Sequence, residues 1–227
     1  MTPYREKSAT GDPFFCSWSG GKDSCLSLYR AVRRGMRCAA LFTMFVEDGS
    51  LSRSHGQPAR AVEAQAEAMG IPLRTACASW DDYEQVFKQT VRGLITEGVR
   101  DGVFGDIDLQ AHREWIERVC GEIGVRPHLP LWQEERRGMV HEFLQVGFKA
   151  VIVAVNAEKL DGRFLGRTLD LALLDELEAE GIDLCGEEGE YHTFVYDGPL
   201  FKQPVVFAFG PAQEHKGYRF VALAVRP

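Results

Sequence analysis

Several features that would assign a chain to a special class are missing from this sequence. No apolar run reaches the ~18 residues of a transmembrane helix. The six cysteines include no C-x-x-C pair and have no histidine at zinc-site spacing, so free thiols are expected rather than a zinc site. The first 13 residues lack the apolar centre of a signal peptide, and we expect a polar tail on a cytoplasmic protein.

Positive charge is also scarce. Lysine and arginine together number 26 against 33 aspartates and glutamates, which gives a net charge of -7. Binding to a nucleic-acid backbone draws on concentrated Lys and Arg, so this balance disfavours a general nucleic-acid binder. The rest of the composition is that of a soluble globular protein, and a length of 227 residues suits one core with a smaller appended unit.

Candidate strands and helices alternate through the first 130 residues. Amphipathic segments separate the predicted strands, which are 13–18, 37–45, 71–77 and 101–106. Such alternation predicts an α/β domain whose parallel sheet is covered by helices on both faces. The first helix is expected to bury one face, made of Cys25, Leu28, Tyr29 and Val32.

The pattern changes after about residue 130. Helical segments at 131–148 and 169–181 flank a buried strand at 149–155, and strands and turns without helices follow. We interpret this part as a second, smaller α+β domain. The expected boundaries are 12–132 for the first domain and 133–227 for the second.

The stretch SGGKDS, residues 19–24, connects the first predicted strand to the first helix. It is not a Walker A loop, since Asp23 follows Lys22 and Cys16 occupies the position of the first glycine. A glycine loop at a helix N-terminus nevertheless binds anions well. A carboxylate there would repel phosphate unless Mg²⁺ bridged the two, so we expect Asp23 to carry or orient a metal ion beside bound phosphate. The alternative is a plain Ser/Gly turn in which Asp23 stabilises the start of the helix.

A second polar stretch, CGEEGEYHT at 185–193, places three glutamates within four positions. Carboxylates so close together repel one another, so a positive or hydrogen-bond-donating group is expected beside them. Taken alone, the stretch fits either a functional site or an acidic surface turn before an edge strand.

The SGGKDS stretch resembles the PP-loop of the ATP pyrophosphatases. The matching residues are Ser19, Gly20, Gly21, Lys22, Asp23 and Ser24. The resemblance implies a Rossmann-like (HUP) domain that binds ATP with Mg²⁺. It also implies that this loop holds the phosphates that leave as pyrophosphate.

A wider resemblance links the two stretches. Residues 186–193 are similar to the G-E-x-G-E-[FY]-x-[TS] motif of the diphthine–ammonia ligase family, matched here by Gly186, Glu187, Gly189, Glu190, Tyr191 and Thr193. Further agreement is found in FGDI (104–107), in the spacing from Arg113 to Cys120, in PLW (130–132) and in FLGRTLD (164–170). The resemblance runs in order over roughly residues 13–200.

This resemblance implies an AMP-forming ligase. In the family ATP adenylates a carboxylate, pyrophosphate leaves, and ammonia displaces AMP to give an amide. The family's substrate is diphthine, a modified histidine on translation elongation factor 2 that becomes diphthamide. Within such a reaction we expect Glu187 and Glu190 to bind ammonium and accept its proton. The alternative role for these two residues is to order the junction of the two domains.

Four further residues are assigned from their predicted positions at strand ends. Thr43 and Met44 close the second strand and are expected to frame the adenine through backbone groups, or else to be core residues. Gly105 and Asp106 are expected to contact ATP at the carboxyl end of the fourth strand, where open α/β sheets bind ligands. A helix N-cap is the alternative role for Asp106.

Two histidines and two arginines are weaker candidates. His55 would approach ATP or substrate, or else be a solvated loop histidine, and His192 is expected to be packed. Arg113 and Arg167 would hold phosphate or acyl-adenylate charge, or else lie on the surface.

Other functions remain open on the sequence alone. The ATP site would serve equally a PP-loop enzyme acting on another carboxylate or on tRNA, or a non-catalytic ATP-binding regulator. The expected partners are ATP, ammonia and a carboxylate-bearing substrate, with no membrane, and a homodimer is left open.

Overall fold

Two β-sheets and six α-helices build the described part of the chain, residues 11–215 and 217–225 of a computed structural model. The polar tail expected at the N-terminus lies outside the described residues except for its last three positions. In chain order the elements are β1 (Pro13–Ser17), α1 (Lys22–Arg33), β2 (Arg37–Phe45), α2 (Ala59–Met69), β3 (Leu73–Cys77), α3 (Tyr83–Thr96), β4 (Asp101–Val103), α4 (Gln110–Ile123), β5 (Arg126–His128), α5 (Arg136–Gln145), β6 (Lys149–Asn156), α6 (Leu171–Ala179), β7 (Tyr191–Asp197), β8 (Phe207–His215) and β9 (Tyr218–Val225).

The first sheet is parallel, with strand order β3-β2-β1-β4-β5. Side chains alternate across it, so Phe14 and Cys16 join a core with α1, α2 and α5, while Phe15 joins a core with α3 and α4. The predicted α/β class is thereby confirmed. The strand order reverses between β1 and β4, and the carboxyl ends of these two strands form the crevice in which open α/β sheets bind ligands.

The first helix differs in part from its predicted face. Cys25 and Leu28 are fully buried as expected, but Val32 is 37% exposed. The buried stripe also takes in Leu26 and Ala31, which rotates the packed face away from Val32. The expectation for Val32 was therefore wrong.

The other predicted elements are close to those observed. Strand β2 has the predicted limits, whereas β4 ends at Val103, so that residues 104–106 leave the sheet and become available to the crevice. The short strand β5 was missed, because three residues that include a proline carry almost no strand signal.

The second sheet is antiparallel, with strand order β7-β6-β9-β8, and it packs directly on the helices of the first domain. Alternate residues of β6 face opposite sides: Val151 and Val153 pack near α2, whereas Ala150 and Ile152 share the core of α1 and α5. The smaller α+β part is thus present as predicted, but it shares its core with the first part. The exact boundary at 132/133 stays a prediction.

In the part of the chain that the structure describes, no helix has the length and apolarity needed to cross a membrane.

Candidate active site

A cavity of about 750 Å³ opens at the carboxyl ends of β1, β2 and β4 and is closed on one side by the segment that leads into β7. Both predicted stretches contribute to it. The lining from the first includes Ser19, Lys22, Asp23 and Ser24, and the lining from the second includes Gly186, Glu187, Gly189, Tyr191, His192 and Thr193. The structure therefore brings together two segments that lie more than 160 residues apart.

The glycines of the phosphate loop are required by close packing. Gly20 has a φ of +79°, and a Cβ there would lie 2.6 Å from Oε1 of Gln65. The Gly20 carbonyl accepts hydrogen bonds from the Gln65 side chain (2.9 Å) and from the amide of Val195 (3.0 Å). Gly21 is the N-cap of α1, and a Cβ there would lie 2.8 Å from the His55 ring. Contacts with Gln65, Val195 and His55 thus fix the position of the loop.

Serine hydroxyls and a glycine from the segment after β4 complete the loop. The Ser19 hydroxyl donates to Ser24 over 3.1 Å, and the Ser24 hydroxyl donates to the Gly21 carbonyl over 3.0 Å. Gly105 lies against the first turn of α1, where a Cβ would come within 2.9 Å of the Ser24 nitrogen. The absence of a side chain at Gly105 lets the backbone after β4 approach the phosphate loop.

Lys22 is the most enclosed charged group of the site, with 5% of its surface exposed. Its ammonium donates to Asp23 over 2.7 Å and to the Cys185 carbonyl, and it lies 5.7 Å from the centre of the Tyr191 ring. Burial alone would lower the pKa of Lys22, but Asp23 and the other nearby acidic groups outweigh it and raise that pKa. Lys22 therefore stays positively charged at neutral pH.

Thr193 connects the second stretch to the first. Its hydroxyl accepts a hydrogen bond from the backbone amide of Lys22 over 3.0 Å. Sequence reasoning matched Thr193 to a motif but gave it no role. No signal in the sequence could have supplied one, because the contact depends on how β7 packs against α1.

Glu187 lies on the cavity wall, and its backbone is fixed from behind. Its amide donates to Asp183 over 2.9 Å, and Asp183 in turn pairs with Arg136 at 2.7 Å. Burial, with the Asp23 carboxylate as the next cause, raises the pKa of Glu187 to about 7. The positive groups expected beside the glutamate cluster are Lys22 and Arg136.

Glu190 occupies a different environment from Glu187. Its side chain is 4% exposed and is not among the residues that line the cavity. Within the described residues its Oε2 has no hydrogen-bond partner. The structure thus brings one of the two predicted catalytic glutamates into the cavity lining and buries the other outside it.

The residues predicted to contact the nucleotide line the cavity, except for Gly20 and Gly21 of the loop. The Thr43 hydroxyl donates to the Trp18 carbonyl over 2.7 Å, and the Met44 carbonyl accepts from the amide of Arg53 over 2.8 Å. Helix α4 begins at Gln110 with Leu109 as its N-cap, so the N-cap alternative for Asp106 is wrong. Asp106 instead lies 3.1 Å from Nδ1 of His112.

His55 and His192 form a stacked pair beside the phosphate loop, with ring centres 4.5 Å apart. His192 also stacks on Tyr218 at 5.7 Å, which agrees with its predicted packing. Burial lowers the pKa of both rings, that of His192 to about 4, so both are neutral at physiological pH. The solvated-loop alternative for His55 was wrong, because its ring packs on Gly21 and faces the cavity.

Neither predicted arginine reaches the cavity. Arg113 pairs with Glu117 at 2.7 Å and lies over the Trp132 ring, and Arg167 pairs with Glu176 at 2.6 Å. Both take the surface role that was the alternative. Within the described residues, Lys22 is the one lysine or arginine in the lining.

The sequence analysis missed a group of three aromatic residues in the cavity lining. Trp80 and Tyr83 stack at 5.5 Å, and Trp115 packs on Tyr83 at 5.8 Å. These three rings line the cavity at the starts of α3 and α4. The one signal in the sequence was the WDDY stretch at residues 80–83, which has the composition of an exposed turn. The direction in which its aromatic side chains point depends on where β3 ends.

Comparisons with known proteins agree with this architecture. Residues 15–127 match the family model described as "Diphthamide synthase N-terminal domain", and residues 135–219 match "Diphthamide synthase C-terminal domain". Proteins named "Diphthine--ammonia ligase" are similar to this chain: that of Danio rerio is 32% identical, covering 83% of each chain, and that of Mus musculus is 30% identical, covering 91% of this chain and 86% of the relative. The Homo sapiens protein of the same name is 28% identical over the same shares.

One solved structure is also similar, described as a predicted subunit of tRNA methyltransferase from Methanocaldococcus jannaschii. It has 15% sequence identity and a TM-score of 0.47, and the match covers 83% of this chain and 98% of that chain. A likeness of that size carries no conclusion about the site.

Proposed function

The chain belongs to the diphthamide synthase family of ligases, and from that premise we propose that it uses ATP to join ammonia to the carboxylate of diphthine. The observation that carries the proposal is the single cavity that holds Lys22 and Asp23 of the phosphate loop together with Glu187. The groups that would activate ATP, Lys22 and Asp23, therefore line the same cavity as Glu187, which would accept a proton near neutral pH. The elongation factor that bears diphthine is the proposed macromolecular substrate.

The proposed reaction has two steps. A carboxylate oxygen of the substrate attacks the α-phosphorus of ATP, pyrophosphate leaves, and an acyl-adenylate forms. Ammonia then attacks the acyl carbon and AMP leaves. Lys22, positively charged and buried, would stabilise the negative charge that develops on the phosphates in the first step.

Asp23 suits a magnesium ion that arrives with the nucleotide. It is one carboxylate facing the cavity from the phosphate loop. Among the described residues, no group of three or more His, Cys, Asp and Glu could hold a metal without the nucleotide. Mg²⁺ is commonly bound in this way, by one or two carboxylates together with substrate phosphates. Once bound, the ion would neutralise phosphate charge.

The nucleotide's other contacts follow from the strand ends. Ser19, Gly20, Gly21 and Ser24 would cradle the phosphates through backbone and hydroxyl groups. Thr43 and Met44 would frame the adenine at the end of β2, and Gly105 and Asp106 would contact the nucleotide from the segment that follows β4. All of these residues except the two loop glycines line the cavity. A side chain at either glycine would collide with Gln65 or His55.

Glu187 would supply the base of the second step. Ammonium is the dominant form of ammonia at neutral pH, and it becomes a nucleophile only after losing a proton. A carboxylate whose pKa is about 7 can bind the cation and accept that proton, the condition under which general-base catalysis works best. Glu190 was predicted to share this role. Since it does not line the cavity, the proposal assigns the proton transfer to Glu187.

The acidic character of the cavity favours this function over the two rivals. A tRNA-modifying enzyme needs several lysines or arginines to bind a polyanion, and among the described residues Lys22 is the one lysine or arginine in the lining. A regulator that merely binds ATP has no use for a carboxylate tuned to neutral pH.

The test is turnover with ATP, ¹⁵N-ammonium and elongation factor 2 bearing diphthine. We expect AMP and pyrophosphate in the nucleotide fraction, and ¹⁵N in the modified histidine by mass spectrometry. Lys22→Ala should abolish both products, while Arg74→Ala, whose side chain pairs with Glu97 on the surface, serves as the matched control. Release of ADP and phosphate, or no label in the factor, would overturn the proposal.

A further inference from the structure

We propose that His112, held by Asp106, accepts the second proton of the amidation step, after Glu187 has accepted the first. The inference rests on the proposed function and extends it, because it adds a catalytic residue and a positioning residue to the ammonia step.

The balance of the reaction requires two proton acceptors. An acyl-adenylate and ammonium give an amide, AMP and two protons. The first proton leaves ammonium, so that ammonia can form the C–N bond at the acyl carbon. The second leaves the positively charged nitrogen of the tetrahedral intermediate, before the bond between carbon and the AMP oxygen breaks. One carboxylate that has just taken the first proton cannot take the second.

The geometry of His112 suits the second transfer. Nδ1 of His112 lies 3.1 Å from Oδ1 of Asp106, and both residues line the cavity. A carboxylate at Nδ1 favours the tautomer that carries its hydrogen there, which leaves the lone pair of Nε2 free to accept a proton. The His112 side chain is 61% exposed at the cavity wall, so Nε2 is accessible to a reacting group.

The charges that face His112 also favour its protonated form. The hydrogen bond that His112 donates to Asp106 is the main cause that raises the pKa of His112, and the carboxylate of Glu187 adds to it. The two proposed bases line the same cavity.

Other titratable groups in the lining are less suited to the role. His55 and His192 are buried neutral rings whose lowered pKa makes them poor proton acceptors. Glu84 is held by Arg118 and Lys88. Asp23 is held by Lys22.

The experiment compares His112→Gln with wild-type enzyme in a single turnover on elongation factor 2 bearing diphthine, following adenylate and ¹⁵N-amide separately. We expect adenylate to form at the wild-type rate and amide to form about 10²- to 10⁴-fold more slowly. His215→Gln, an exposed histidine on β8, is the control and should match wild type. Amide formation at the wild-type rate by His112→Gln would overturn the inference, whereas absence of amide in wild type would overturn the proposed function itself.

A second nucleophile separates the two bases. Hydroxylamine is uncharged at neutral pH and needs no proton removed before it attacks. We therefore expect it to restore product formation in Glu187→Gln but not in His112→Gln. Equal rescue of both variants would show that His112 has no part in the second transfer.

A spectroscopic readout tests the positioning role of Asp106. In ¹⁵N NMR titrations the pKa of His112 should fall in Asp106→Asn relative to wild type, and Nδ1–H should no longer be the dominant tautomer. If the pair only stabilised the β4–α4 connection, Asp106→Asn would lower the free energy of unfolding and leave the His112 tautomer unchanged, which would overturn the assignment.

Discussion

The backbone amide of Lys22 donates its hydrogen to the hydroxyl of Thr193 over 3.0 Å, although the two residues lie 171 positions apart. The first amide of a helix has no partner within the helix, and in an anion-binding loop it is one of the groups that hold phosphate. Here that amide is satisfied by the second sheet. The first amide of α1 therefore has its hydrogen-bond acceptor only when the two parts of the chain are packed together.

Thr193→Val tests this dependence. Valine keeps the shape of threonine but leaves the buried Lys22 amide without an acceptor, so we expect a loss of about 1–3 kcal/mol in the free energy of unfolding. Urea denaturation measures it. Thr193→Ser keeps the hydroxyl and should lose less than half as much. Equal losses for both variants would mean that packing, not the hydrogen bond, holds the contact.

Asp23→Ala tests the metal assignment. With Mg²⁺ present, the variant should bind ATP more weakly than wild type, because the bridge between carboxylate and phosphate is gone. With EDTA in place of Mg²⁺ the difference should shrink, since the carboxylate then only repels phosphate. Isothermal titration under both conditions decides it, and equal affinity in Mg²⁺ would contradict the assignment.

Gly105→Ala tests the close approach between the segment after β4 and the first turn of α1. The new Cβ would lie 2.9 Å from the backbone nitrogen of Ser24, which cannot move aside as a flexible side chain would. We expect a destabilisation of about 1–3 kcal/mol and weaker ATP binding. The matched control is Gly93→Ala in the last turn of α3, where a Cβ meets nothing within 4 Å. That change should stabilise the protein by up to about 1 kcal/mol, and a loss at Gly93 equal to that at Gly105 would contradict the argument.

Much of this arrangement could be predicted from local sequence. Strand β2 matched its predicted limits because its apolar run has clear ends, and the phosphate loop could be identified because its glycines serve backbone geometry that few other residues allow. Such signals depend on neighbours in sequence alone. They required no knowledge of how distant segments pack.

The separation of Glu187 from Glu190 could not be predicted. Gly186 and Gly189 have φ values of +68° and +82°, so the chain turns between the two glutamates. No helical or strand periodicity then relates the side chains, and three residues of spacing do not say which way each one points. The same holds for Trp80 and His112, which meet the cavity through the packing of α3 and α4.

The pH dependence of the amide step follows from Glu187. Burial, with Asp23 as the next cause, raises its pKa to about 7, while Lys22 and Arg136 act in the opposite direction. Below this pH the carboxyl is protonated and cannot accept a proton from ammonium. The single-turnover rate of amide formation should therefore rise about tenfold per pH unit below pH 7 and level off above it. In Glu187→Gln the levelling near pH 7 should disappear, because the rate then follows the fraction of free ammonia, which keeps rising above that pH.

The same pKa has a consequence for stability. Glu187 has a higher pKa in the folded protein than in the unfolded chain, where glutamate titrates near 4.3. The folded state thus favours the protonated form, and this contribution is lost as the pH rises from about 4 through 7. Glu187→Gln should accordingly be more stable than wild type at pH 8, by about 1–2 kcal/mol after solvent screening, and differ little at pH 4. Urea denaturation at both pH values checks this, and a variant less stable at pH 8 would contradict the sign.

The last prediction distinguishes the two glutamates. Glu187 lines the cavity, whereas Glu190 is 4% exposed and is not part of the lining. Among the described residues, Oε2 of Glu190 has no hydrogen-bond partner. Glu187→Gln should form adenylate normally and amide about 10²- to 10⁴-fold more slowly, with partial recovery at high ammonium if cation binding is the main loss. Glu190→Gln removes a buried carboxylate without changing the cavity wall, so its amide rate should stay within about threefold of wild type while its stability changes. Single-turnover analysis with ¹⁵N-ammonium, run beside urea denaturation of each variant, gives both quantities. Equal slowing of the amide step in both variants, with unchanged stability, would return Glu190 to the catalytic role that the sequence predicted.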